Sequence, residues 1–128
     1  MFDTPYVMKL AQNLARHAGA RQAQIAKNIA NADTPGYKSR DLVGFAETVR
    51  SAQSTDFKTT RARHMSSSSF EAAYRTVPLG GQSSPNGNNV AVEVEMARAT
   101  DAKSSHDLAL TVYKSSLDIL RTSLGRGG

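Results

Sequence analysis

Cysteine is absent from these 128 residues, which excludes disulfides, thiolate metal sites and a thiol nucleophile. The same absence suits a chain that works outside the cytoplasm without oxidative crosslinking. No apolar run approaches the length of a membrane span. The start, Met1 to Tyr6, has neither the basic n-region nor the apolar h-region of a cleavable signal peptide. If the chain leaves the cytoplasm, another route is expected. Catalytic patterns are also missing: there is no Gly-rich phosphate loop, Gly-x-Ser-x-Gly elbow or His-Glu-x-x-His. His17, His64 and His106 stand far apart, with no partner at ligand spacing, and His106 reads as a seam or solvated residue rather than a metal ligand. The serine run 66–69 has no base that sequence identifies. The expectation is no enzyme, no metal and no cofactor.

Large aliphatic residues are scarce where a globular core would need them. Between Val49 and Val90 the only branched aliphatics are Val77 and Leu79, too few for a compact single core. The rest gather in two end segments, about 5–32 and 90–124, which predicts two helices joined by something loose.

The net charge of +5 raises a nucleic-acid reading, but the excess is diffuse. Residues 1–33 hold four basic and two acidic residues, 34–89 seven and four, and 90–128 five and five. The densest patch, Lys58, Arg61, Arg63 and His64, reads first as a solvated surface and second as a site for an acidic partner or envelope polymer.

Thr4 and Pro5 suit the N-cap and first position of a helix. Val7, Ala11, Leu14, Ala18, Ile25, Ile29 and Ala32 follow on one narrow, alanine-rich stripe. Gly19 weakens the middle, so this helix needs a partner. It is expected to stop near Ala32, because Thr34 precedes a proline and Pro35-Gly36 favours a type II turn. From Tyr37 to Asn89 the sequence predicts long loops, a short helix or extended piece around Leu42 to Val49, and a short β-hairpin around Arg75 to Leu79.

Asn88 or Asn89 caps the last segment, Glu93 and Glu95 lie in its first turns, and Arg121 and Arg126 at its end, each complementing the helix dipole. Met96, Lys103, Leu110, Leu117 and Leu124 repeat at sevens beside Val92, Ala99, His106, Tyr113 and Leu120. This is a heptad seam that another helix must cover. Leu108, Val112 and Ile119 widen the apolar face. The fold class is all-α: paired N- and C-terminal helices (1–36 and 88–128) around an irregular middle, 37–87.

The run Asn28-Ile29-Ala30-Asn31-Ala32-Asp33-Thr34-Pro35-Gly36-Tyr37-Lys38 resembles the N-terminal signature of flagellar rod and hook proteins. Ser84-Pro85-Asn86-Gly87-Asn88-Asn89-Val90, followed by Glu93, Glu95 and Met96, resembles a second hallmark of the proximal members of that family. Ala91 and Val94 stand where the family carries charged residues. The resemblance implies a coiled-coil-like pairing of both ends and helical packing of many copies. It implies other rod proteins, the rod-to-ring junction protein and the export gate as partners, and export without a cleaved signal. It implies neither nucleic acid nor a small-molecule substrate. Leu14, Ile25, Ile29, Met96, Leu110, Tyr113, Leu117, Leu120 and Leu124 are then the expected packing residues. Asn28 and Asn31 read either as inter-subunit hydrogen-bonding sites or as helix terminators, and Tyr37 either as an interface anchor or as packing back on its own helix. The rivals are a basic coiled-coil nucleic-acid binder and a chaperone or adaptor for a secreted protein.

Overall fold

The structure, a computed structural model, describes residues 4–56 and 74–126. The basic patch 58–64 and the serine run 66–69 lie outside the described residues. The chain forms α1 (Thr4–Ala30), β1 (Arg40–Leu42), α2 (Phe45–Asp56), β2 (Thr76–Pro78) and α3 (Val92–Arg126). At 27 and 35 residues, α1 and α3 are about 40 and 52 Å long. No helix among the described residues is long and apolar enough to cross a membrane.

The two long helices pack together antiparallel. Asn28, near the end of α1, bonds Glu95 near the start of α3, and His17 and Arg21 share a cavity wall with Ala102 and Ser105. Extending that pairing leaves about the last two turns of α3 beyond the start of α1. The buried seam is made mostly of small residues: Ala11 and Ala18 from α1, with Ile25 as its one large apolar member, and Ala102, Ala109 and Ser116 from α3. Alanines at heptad spacing let the helix backbones approach closely. They bury little apolar area each, at about 0.8 kcal/mol per methylene-sized group.

This corrects the seam expected in α3. The buried row is Glu95, Ala102, Ala109 and Ser116, one residue before each of Met96, Lys103, Leu110 and Leu117. One residue is about 100° of rotation, so the large side chains are turned to the flank of the contact. Met96 is 61% exposed, Leu110 52% and Leu124 74%, and none packs inside its own chain. The physical reason is fit: opposite the alanines of α1 only small residues allow close approach. Leu117, Tyr113 and Leu120 are half-buried at the margin. Ile29 is also exposed, while Ile25 is buried and Leu14 half-buried.

Helix α1 ends at Ala30, and turns follow over 31–33, close to the expected stop. The expected hairpin near Arg75 is replaced by a long-range ribbon. β2 pairs antiparallel with β1, with Arg40 opposite Pro78 and Leu42 opposite Thr76. Leu42 and Val43 finish this strand region and Phe45 opens α2, so the apolar run splits between two elements.

Candidate functional site

The two sequence motifs meet at the end of the helix pair where α1 stops and α3 begins. Asn28 is fully buried. Its Nδ2 donates to the Arg40 carbonyl at 2.7 Å and to Glu95 Oε2 at 3.1 Å. Its Oδ1 accepts from Gln24 Nε2 at 3.0 Å, the Tyr37 hydroxyl at 3.0 Å and the Arg40 N–H at 3.3 Å. One carboxamide thus joins α1, β1 and α3. Both donors are used, and the oxygen is crowded with partners. Glu95 is 1% exposed, and its other oxygen accepts from Arg98 Nη1 at 2.8 Å. The carboxylate is therefore paired as well as hydrogen-bonded, as a buried charge must be.

A second set of bonds ties the loops together. Asn88 Nδ2 donates to the carbonyls of Asn31 and Thr34, both at 2.8 Å, tying the turns that follow α1 to the start of α3. Asn88 Oδ1 accepts the Val90 N–H at 2.8 Å. Asn89 Oδ1 accepts the Ser39 N–H at 2.7 Å, and its Nδ2 donates to Leu79 O at 2.9 Å. The Gly36 N–H donates to Asn86 O at 2.9 Å. Gly36 and Gly87 both have left-handed backbone, φ 75° and 87°, which glycine adopts without a Cβ penalty. They also touch: a Cβ on Gly87 would stand 3.3 Å from the Gly36 Cα. Lys38 Nζ closes the clasp by donating to Ser83 Oγ and the Gly87 carbonyl.

Beside the clasp, a cavity of about 350 Å³ opens between α1, β1, the start of α2 and α3. Its charged and ring side chains are engaged with one another or with the backbone. Arg21 makes a two-pronged pair with Asp41, both arms at 3.1 Å. His17 Nε2–H donates to the Val43 carbonyl at 2.7 Å, and the ring meets Phe45 edge-on at 5.7 Å. Among the described residues no cluster of three His, Asp or Glu could hold a metal ion.

The asparagines expected at the end of α1 divide. Asn28 points into its own chain with every side-chain partner intramolecular. Asn31 donates to the Lys27 carbonyl at 2.8 Å and accepts from the Thr34 hydroxyl at 3.1 Å, closing the helix end. Tyr37 folds back on α1 through Asn28. Asp33, Pro35 and Pro85 are exposed turn residues, as is Asn86 apart from its loop bonds. Sequence reasoning missed the burial of Glu95, which looked like a dipole-compensating first-turn residue. The signal was present, since Glu95, Ala102, Ala109 and Ser116 stand at sevens. A seam without large apolar members does not announce itself.

Comparisons with known proteins point to one family. Residues 16–38 match a family model described as "Flagella basal body rod protein". The chain is 33% identical over 122 residues to the flagellar basal body rod protein FlgB of Salmonella typhimurium, covering 86% of each chain. It is 30% identical over 122 residues to FlgB of Bacillus subtilis, covering 91% of each. It is 28% identical over 114 residues to that of Agrobacterium fabrum, covering 85% of each.

Proposed function

This chain belongs to the flagellar basal body rod proteins of the FlgB type, structural subunits of the proximal rod, and on that premise we propose that copies of it self-assemble axially and carry torque from the inner-membrane ring to the distal rod. The observation that supports this most directly is the large apolar side chains left uncovered on α3: Met96, Leu108, Leu110, Ile119 and Leu124. Rows of that length on a helix call for neighbouring helices. Covering them in the assembly offsets the entropy of ordering the chain. The clasp gives each subunit a rigid end, so force passes through packed helices rather than through any one residue.

In this reading the paired ends (1–36 and 88–128) form the axial domain and 37–87 spans between them. The partners are other copies, other rod proteins, and the rod-to-ring junction protein and export gate at the rod base. The chain takes its place in the periplasmic span of the rod, and performs no catalysis. The basic side chains of Arg21 and Arg98 pair with Asp41 and Glu95 inside the chain, so neither is free to hold a phosphate.

Immunogold labelling of detergent-extracted basal bodies from the producing cell tests the assignment. Label at the base of the rod, beside the inner-membrane ring, is expected. Label confined to a more distal part of the axis overturns the proximal position, and chain recovered only from the cytoplasm overturns the structural role.

A further inference from the structure

Residues two apart on a helix sit about 160° apart, on opposite sides of the cylinder. On α3 this sets two rows either side of the alanine seam. Val94, Asp101 and Leu108 lie on one flank, the one that carries Val94 beside Ser39 and Leu79 of the ribbon region. Met96, Lys103 and Leu110 lie on the other. All six are exposed. The rows are level with one another, and each reads apolar, charged, apolar. Their charges are opposite. Neither Asp101 nor Lys103 forms an ion pair among the described residues. Further along, Ile119 continues the first flank and Leu124 the second, both largely exposed.

We infer that these two flanks meet between copies of the chain: the Met96–Lys103–Leu110 side of one α3 packs on the Val94–Asp101–Leu108 side of the next, helices parallel and level, with Lys103 facing Asp101 of the next copy. This inference rests on the rod assignment and says which surfaces do the joining. Apolar residues then cover apolar residues above and below a single complementary charge pair, whose main work is to fix register and exclude wrong neighbours. A flank packed level on its own kind would set like charge against like. Parallel neighbours keep α1 on one face of the growing layer and keep Ile119 and Leu124 at neighbouring levels. The contact joins two different surfaces, so it repeats without using itself up and builds a ring or a helix of subunits.

Charge exchange in the full-length chain, expressed in place of the native one, tests the register. Lys103→Glu alone and Asp101→Lys alone are each expected to lower incorporation into basal bodies at least about tenfold, because every contact then opposes like charges. Lys103→Glu with Asp101→Lys together restores it. Singles that assemble normally, or a double variant no better than the singles, overturn the pairing. The native chain has no cysteine, so crosslinking gives a second readout. Leu108→Cys with Leu110→Cys in one chain is expected to yield a ladder of oxidised multimers in purified basal bodies, and either change alone no ladder. Chain present in basal bodies without a ladder overturns this interface and leaves the rod assignment standing. Native chain absent from basal bodies overturns both.

Discussion

The carboxamide of Asn28 stands where the peptide of a neighbouring strand would stand, taking the N–H and the C=O of Arg40 on the outer edge of β1. It hides an open strand edge and at the same time anchors Glu95. Replacing it by alanine leaves the Arg40 carbonyl, the Tyr37 hydroxyl and one Glu95 oxygen without their partner in a buried site. At roughly 1–3 kcal/mol for each orphaned group, and less than additive, Asn28→Ala is expected to cost about 3–5 kcal/mol. Urea unfolding of the purified chain measures this, and a loss below about 1 kcal/mol would show that the network carries no stability. The glycines allow a finer comparison. Both pay for left-handed backbone when changed to alanine, about 1–2 kcal/mol. Only Gly87 would also push a Cβ toward the Gly36 backbone, whereas a Cβ on Gly36 meets nothing within 4 Å. Gly87→Ala is therefore expected to destabilise more than Gly36→Ala in the same unfolding experiment, and the reverse order would contradict the close approach.

Among the elements, α1 and α3 owe their partnership to small residues and their register to polar ones. An alanine seam slides easily by a heptad, since Ala11 and Ala18 are interchangeable to a facing Ala102 or Ala109. The Asn28–Glu95–Arg98 set fits only one alignment, the role that a single buried asparagine plays in coiled coils. Neighbouring residues of α3 should then respond oppositely. Ala109→Leu forces extra volume into a close contact and is expected to lower monomer stability by about 1–3 kcal/mol. Leu110→Ala, one position on, removes an exposed side chain, so monomer stability is expected to stay within about 0.5 kcal/mol while incorporation into rods falls. Thermal unfolding with basal-body counts separates the two. A monomer destabilised strongly by Leu110→Ala would mean that Leu110 packs inside the chain. The same pair explains what the sequence made readable. Thr4-Pro5 and Pro35-Gly36 marked the limits of α1, and the leucine heptads marked α3, because caps, turns and large apolar residues have strong local signatures. The ribbon was hidden because its strands belong to distant segments, each of three residues. The seam was misplaced by one residue because leucines, which mark a helix face that needs covering, do not say whether the cover comes from within the chain. The clasp residues stood out as motifs, but their partners across the fold could not be read from spacing.

For the whole molecule, the antiparallel pairing leaves the last two turns of α3 with no α1 beside them. In these turns the Thr122 hydroxyl bonds back to the Asp118 carbonyl at 2.9 Å, a contact within the helix itself. A helix end of that length, with Leu124 in solvent, gains little from its own chain and frays readily. In the isolated protein, amides of residues 119–126 are expected to exchange at nearly unprotected rates, while those facing the Ala102–Ala109 seam are protected. In purified rods the end segment should gain at least about hundredfold protection, because neighbours then bury Ile119 and Leu124. Hydrogen exchange read by mass spectrometry on both samples makes the comparison. A segment already protected in the monomer would mean that the chain covers its own overhang. One unprotected in both states would mean that assembly is carried by the central part of α3, where Lys103 and Asp101 lie, and that the tip contributes no contact.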